Sequence, residues 1–285
     1  MKILSTIFAI LITQSILLGQ NNVLDRAQKM LEDKKHDQVI ELLSSQKNDF
    51  KSNAQYFYLT GSAYIDKLQV TDNFFKKGTL ASKAKSALLK AIELQPSHID
   101  ARVRLSNYYL NAPVIAGGSN TKAKQQATEI MKYDQKRGRM LLASIHYNKK
   151  DFKAAEKEYL SIYKIAPEDE RIRYLLSNIY FEMKQYDKAF NYCKQSINKF
   201  PDYLTGHYQY GRIASVAKKN IDQGIAYLNH FLEKSPADGQ PKKHWAYYRL
   251  ALLKKEQGKT VASQQALKKA LELYPDFSQA KKLLN

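Results

Sequence analysis

The sequence predicts an all-α protein built from repeated pairs of helices. Prolines end similar segments at positions 96, 167, 201, 236 and 275, and two of the steps between them are 34 and 35 residues. Within one segment, apolar residues follow the helical i, i+3, i+4 spacing at Leu176, Ile179, Tyr180 and Met183. No convincing alternation of apolar and polar residues indicates a strand. The 11 glycines and 7 prolines among 285 residues also favour long regular elements over frequent sharp turns.

The composition argues against most classes of enzyme. The chain has one cysteine, Cys193, so it cannot form an intramolecular disulfide or a cysteine-rich zinc site. We expect this thiol to be buried in the packing. The sequence lacks HExxH, GxSxG, a P-loop, and a GxGxxG after a strand, and its six histidines are scattered. These features predict a non-catalytic protein without a metal or a cofactor.

The first 19 residues have the pattern of a signal peptide. Lys2 precedes an apolar stretch over residues 3–18, and the small residue Gly19 precedes polar Gln20. The stretch is shorter and more polar than the roughly 20 apolar residues of a membrane span. We expect cleavage after Gly19 and a periplasmic or secreted protein. An uncleaved membrane anchor is the alternative.

Residues at recurring positions in the segments indicate a known repeat. One segment has Leu176, Tyr180, Tyr186, Ala189 and Pro201, and the segment before it has Leu142, Phe152, Ala155, Tyr159 and Pro167. The period and these residue types resemble the tetratricopeptide-repeat (TPR) family over residues 23–285. The resemblance implies a right-handed TPR solenoid of about seven helix pairs with a C-terminal capping helix. It would form a single domain over residues 20–285, with a degenerate first repeat at residues 23–50.

Two neighbouring repeats carry insertions, at residues 66–80 and 111–121. Each is expected between the two helices of its repeat, so the two should emerge side by side on one edge. Pro113 should end a helix, and Gly117 with Gly118 should permit a tight turn before the next one. The insertions either pack as loops against the second repeat or form a functional surface.

The TPR resemblance implies that the first helix of each repeat lines a concave groove. Candidate partner-binding residues at these positions are Tyr58, Asn107, Arg137, Tyr147, Tyr174, Asn178, Phe181, Tyr208, Arg212 and Tyr248. Aromatic rings can pack peptide side chains and asparagines can pair with backbone amides, so this set suits an extended peptide. The alternative is a solvated wall without a ligand.

The charge of the chain is strongly positive and unevenly distributed. Lysine and arginine number 46 against 27 acidic residues, a formal charge of +19. Residues 101–150 contain ten basic and two acidic residues. This segment is either a solvated face or attracts an anionic partner, such as an acidic protein, phospholipid head groups or envelope polymers. No nucleic-acid partner is expected, because no base-reading motif is present.

These observations favour an exported, non-catalytic scaffold that binds a protein or peptide in its groove. The alternative is an accessory subunit of an envelope-assembly or ligand-uptake system that handles a small molecule or a lipid. An apolar channel lined by the insertions would favour that alternative.

Overall fold

The computed structural model describes residues 22–235 and 239–284, and within these ranges the chain is helical with no strand. The predicted signal peptide lies outside the described residues. The chain divides into two compact units, residues 1–145 and 146–285, and each is described by itself. The single domain expected over residues 20–285 stays a prediction.

The first unit contains three helix pairs and most of a seventh helix. Its helices are α1 (22–32), α2 (His36–Ser45), α3 (Ala54–Gln69), α4 (Phe74–Leu94), α5 (Ile99–Asn111), α6 (Asn120–Met131) and α7 (Gln135–Asn148), whose last residues belong to the second unit. A 3₁₀ turn, Val114–Ala116, lies between α5 and α6.

The second unit continues the same alternation. Its helices are α8 (Phe152–Ile165), α9 (Glu170–Glu182), α10 (Tyr186–Lys199), α11 (Leu204–Ala217), α12 (Ile221–Lys234), α13 (Lys243–Glu256), α14 (Thr260–Leu273) and α15 (Ser278–Leu284). The described residues therefore form seven successive helix pairs and one further helix at the C-terminal end, as predicted.

The turn inside the pairs has a recurring backbone conformation. Lys150, Lys184 and Lys218, which are 34 residues apart, have φ of 60°, 58° and 52°. Lys34 and Gly258 are also left-handed, with φ of 60° and 74°, in the turns of the first and last pairs. The left-handed region is unfavourable for a residue with a Cβ, at about 1 kcal/mol or more, so packing of the two helices must hold each lysine there.

The joint between successive pairs also repeats, around the prolines that revealed the period. The carbonyl oxygen of Pro96 accepts a hydrogen bond from Arg102 Nε at 2.8 Å, and that of Pro167 accepts one from Arg173 at 2.7 Å. The Pro201 carbonyl oxygen lies 2.9 Å from His207 Nε2, which must carry the proton because a carbonyl can only accept. Each donor side chain is buried, six residues after its proline. The same contact thus fixes the start of three different repeats.

The signature positions of the repeat form the core. Leu176, Ala189, Leu105 and Ala155 are fully buried, as the repeat register requires. The degenerate first repeat also packs normally, because Val39 and Leu43 lie in a hydrophobic cluster with Phe50 and Leu59. Loss of the sequence signature therefore did not change the helix pair.

The first insertion differs from its prediction, which placed the extra residues between the two helices. Instead α3 continues to Gln69 and α4 begins at Phe74, so only residues 70–73 lie outside a helix. The added turns remain helical because Leu80 and Ala81 are buried, and Leu68 packs on the core. The second insertion lies between helices as predicted, and α5 ends at Asn111, before Pro113.

Candidate partner-binding surface

The first helices of the second unit lie beside one another. α9 contacts α11, and α11 contacts α13, in addition to the contacts within each pair. Equivalent positions of successive repeats can therefore meet on these helices. Asn178 of α9 and Arg212 of α11 are 34 residues apart, which places them at the same position of two repeats.

A chain of hydrogen bonds joins three of the predicted residues. Arg212 donates to the side-chain oxygen of Asn178 at 2.8 Å, and the amide nitrogen of Asn178 donates to the hydroxyl of Tyr147 at 3.0 Å. The three side chains come from α7, α9 and α11, so three consecutive first helices contribute to one polar row. The hydrogen bonds to Arg212 and Tyr147 fix the orientation of the Asn178 amide.

Arg212 also forms contacts that the sequence analysis missed. Its guanidinium pairs with Glu182 at 3.2 Å and lies 4.1 Å from the centre of the Phe181 ring. It donates a further hydrogen bond to Gln209 at 3.2 Å. Glu182 follows Asn178 by one helical turn, so the helical period could have identified it as a second partner of Arg212.

Tyr174 lies next to this row on α9. Its ring is half-buried and packs edge-on against Tyr203, with 6.3 Å between the ring centres. Burial raises the pKa of Tyr174; nearby Tyr208 adds to the increase, and Arg212 opposes it. The phenol therefore remains a hydrogen-bond donor at neutral pH. We call the set Tyr147, Tyr174, Asn178, Phe181, Glu182 and Arg212 the inner-helix cluster.

Tyr208 does not present its ring as a contact surface. The residue is only 8% exposed, and its ring packs on Phe231 of α12 with 5.5 Å between ring centres. Tyr208, a candidate partner-binding residue of the groove, therefore belongs to the core. We therefore leave it out of the inner-helix cluster.

Tyr248 belongs to a different aromatic group at the C-terminal end. Its ring centre lies 5.4 Å from that of Phe277 and 6.1 Å from that of Trp245. The Arg249 guanidinium lies 5.5 Å from the centre of the Tyr248 ring. Much of the Tyr248 ring therefore contacts its own chain.

The three candidates in the first unit have separate surroundings. Tyr58 is half-buried, with its ring centre 4.9 Å from that of His98. Asn107 is exposed on α5. Arg137 is exposed and forms an ion pair with Asp100. That pair offsets part of the positive charge of the basic segment, as does the 2.7 Å pair between Lys132 and Glu129.

Cys193 is fully buried, where its Sγ lies 3.0 Å from Ser177 Oγ. Burial raises the pKa of the thiol to about 12, so very little reactive thiolate forms near neutral pH. The thiol packs between α9 and α10, as predicted. In the part of the chain that the structure describes, no group of three or more His, Cys, Asp or Glu side chains could hold a metal ion. The described helices also include none that is long and apolar enough to cross a membrane.

Comparisons with known proteins agree with the helix pairs. The sequence profile of the tetratricopeptide repeat matches residues 137–169, 170–202 and 246–277. No curated protein shows a significant match to the sequence.

Solved structures show the same fold at low sequence identity. A tetratricopeptide repeat protein from Parabacteroides merdae has a TM-score of 0.62 and 12% identity, covering 93% of this chain and 96% of its own. The C-terminal part of a TPR repeat-containing protein from Cytophaga hutchinsonii has a TM-score of 0.60 and 16% identity, covering 92% and 99%. YrrB, described as a TPR protein with an unusual peptide-binding site, has a TM-score of 0.51 and 15% identity, covering 70% and 98%.

Proposed function

Because three matched segments and the fold make this chain a tetratricopeptide-repeat protein, we propose that it is a non-catalytic scaffold that binds a peptide segment of a partner protein at the inner-helix cluster. The hydrogen-bonded row from Arg212 through Asn178 to Tyr147 carries this proposal. Fixed donors and acceptors from three helices reduce the ordering cost of binding, because their side chains are already held in place.

Arg212 has capacity left for a ligand. A guanidinium has five N–H donors, and the described hydrogen bonds to Asn178, Gln209 and Glu182 use three of them. The side chain is 24% exposed, so a ligand can reach it. The two remaining donors suit a peptide carbonyl or carboxylate, while the half-buried rings of Tyr174 and Phe181 offer apolar surface.

Other observations support this class of partner. YrrB is described as having a peptide-binding site, and a peptide is the ligand that we propose for the polar and aromatic row here. The formal charge of +19 supports an acidic partner, since long-range attraction speeds association. The alternative function, an accessory subunit that handles a small molecule or a lipid, would be favoured by an apolar channel lined by the insertions. Instead, Phe74, Phe75, Val114 and Ile115 of the insertions are exposed to solvent.

A double substitution tests the binding site. Peptides are selected on the wild-type protein from a random display library, and their dissociation constants are measured by fluorescence polarisation. We expect the double variant Tyr147→Ala with Tyr174→Ala to weaken binding about tenfold or more. The first substitution removes the hydroxyl that accepts the Asn178 hydrogen bond, and the second removes an aromatic ring from the inner-helix cluster. The selected peptides should be rich in aspartate and glutamate.

The matched control is Tyr133→Ala with Tyr274→Ala, which removes two exposed tyrosines elsewhere. It should leave the affinity unchanged. Circular dichroism checks that both double variants keep their helices. Unchanged affinity in the Tyr147/Tyr174 variant with intact helices would place the partner elsewhere.

We also propose that the protein is exported and acts in the periplasm or outside the cell. The signal-like pattern of residues 1–19 supports this location. The intact mass of protein purified from its native host should correspond to a chain that begins at Gln20. A full-length product that requires extraction from membranes would contradict cleavage and favour the anchor.

A further inference from the structure

The two insertions of the first unit expose five large apolar side chains, and four of these form two pairs of sequence neighbours. Phe74 and Phe75 at the start of α4 are 79% and 84% exposed, and Val114 and Ile115 in the 3₁₀ turn are 86% and 95% exposed. We call these two adjacent pairs the apolar tips. Single exposed apolar residues are common on proteins, whereas neighbouring pairs at such exposure indicate a contact surface.

The backbone of the second insertion is held in place, so its exposed residues are presented on an ordered loop. The hydroxyl of Tyr108 donates to the carbonyl of Ala116 at 2.6 Å, and the Ser119 backbone N–H donates to the Tyr109 carbonyl at 2.8 Å. Gly117 has φ of 88°, which favours glycine. Gly118 has no room for a Cβ, because that atom would overlap the Ala112 carbonyl. These contacts fix a loop that turns Val114 and Ile115 outwards.

The first insertion is ordered by a helix cap. The side-chain oxygen of Asn73 accepts the Lys76 backbone N–H at 2.9 Å, which fixes the first turn of α4. The rings of Phe74 and Phe75 pack edge to face, with 6.0 Å between their centres. The two rings therefore present their apolar area together.

The apolar tips belong to the same side of the first unit. The 3₁₀ turn contacts α4, and a methyl group added to Gly117 would lie 3.3 Å from Lys85 Nζ. Lys85 follows Phe75 by ten residues, roughly 15 Å along the helix. The 3₁₀ turn thus packs on the helix that begins with the two phenylalanines, and the side-by-side placement of the insertions stays a prediction.

The surroundings of the apolar tips carry positive charge. Residues 72–93 contain five lysines and two acidic residues, Asp72 and Glu93, and Glu93 pairs with Lys90. Lys76 is exposed directly beside the phenylalanines, and neither it nor Lys77 forms an ion pair with a described residue. Lys83 lies on α4 with its ammonium 5.5 Å from the centre of the Tyr64 ring.

We propose that the apolar tips dock this side of the first unit on the surface of an anionic phospholipid bilayer. Phenylalanine and aliphatic side chains would enter the interfacial layer, while the lysines of α4 contact the lipid phosphates. Protein hot spots generally sit in well-packed pockets at the centre of an interface, whereas these side chains project from two separated points. A fluid interfacial layer accepts projecting side chains without a matching pocket.

Vesicle binding tests this proposal. The chain beginning at Gln20 is used, because an apolar signal segment would itself bind lipid, and every described helix lies after residue 21. It should sediment with vesicles of phosphatidylcholine and phosphatidylglycerol much more than with phosphatidylcholine alone. Phe74→Ser with Phe75→Ser, and separately Val114→Ser with Ile115→Ser, should each lower partitioning about tenfold or more. Lys76→Gln with Lys77→Gln should lower it about tenfold and weaken its salt dependence.

The matched control is Val261→Ser with Leu273→Ser, which removes two exposed apolar side chains from α14. It should leave partitioning unchanged, and circular dichroism should be the same for all variants. The proposal is overturned if the wild-type protein does not bind the anionic vesicles. It is also overturned if the α14 control loses as much binding as the tip variants. Self-association that the tip variants abolish, without vesicle binding, would instead assign the apolar tips to a second copy of the chain.

Discussion

Replacing Ala189 by aspartate is expected to lower the free energy of unfolding by about 3 kcal/mol or more. Ala189 is fully buried where α10 crosses α9, and its carbonyl accepts a hydrogen bond from Ser177 Oγ at 2.9 Å. A carboxylate at this position would lose its hydration and gain no cationic partner among the described contacts of the crossing. The cost is therefore that of burying an unpaired charge.

Urea unfolding followed by circular dichroism measures this change. Asn191→Asp is the matched control, because it adds the same charge at an exposed position of the same helix. Its free energy of unfolding should change by no more than about 0.5 kcal/mol. Equal unfolding midpoints for the Ala189 and Asn191 variants would mean that the repeat register is wrong.

The Gly138→Ala substitution is expected to destabilise the protein by about 2 kcal/mol. Gly138 is buried where α7 meets α6, and a Cβ there would lie 2.7 Å from the Ala127 carbonyl oxygen and 2.7 Å from the Met131 backbone nitrogen. It would also overlap the side chain of Met131. Since two of these atoms are backbone atoms, a change of side-chain rotamer cannot make room, and the two helices must move apart.

Gly78→Ala is the control, and it is expected to raise the free energy of unfolding where Gly138→Ala lowers it. Gly78 is exposed within α4, and no heavy atom lies within 4 Å of where its Cβ would be. Alanine there should stabilise the helix by about 0.5–1 kcal/mol, through lower backbone entropy in the unfolded chain. Thermal unfolding should therefore shift in opposite directions for the two variants. A Gly138→Ala variant that melts at or above the wild-type temperature would contradict the close approach of α6 and α7.

The fold could be predicted because the repeat leaves several independent signals. The spacing from Pro167 to Pro201 gave the period, and buried positions such as Leu176 and Ala189 followed from it. The first insertion was placed wrongly because extra length alone cannot distinguish a loop from longer helices. Its lysines and leucines allow helix, and Leu80 becomes buried only once α4 has packed.

The candidate surface could be predicted only in part. Register alone brought Asn178 and Arg212 together, since side chains one period apart meet when first helices lie side by side. The burial of Tyr208 could not be predicted in the same way, because Phe231 of the next helix covers it. Binding by the cluster stays a prediction until a ligand is measured.

A buried side chain donates a hydrogen bond to the carbonyl of Pro96, of Pro167 and of Pro201. This repeated contact affects how such a chain can gain repeats in evolution. The proline and its donor lie within seven consecutive residues. A duplication of one 34-residue period therefore adds one more proline and one more donor at this spacing, wherever in the repeat the copied segment begins. The new repeat then directs its first helix without a compensating mutation elsewhere. His207 occupies the place that arginine has in the other two joints, so both arginine and histidine can supply the donor that reaches the carbonyl. The array can therefore gain or lose whole repeats, and vary this side chain, while each junction keeps its geometry.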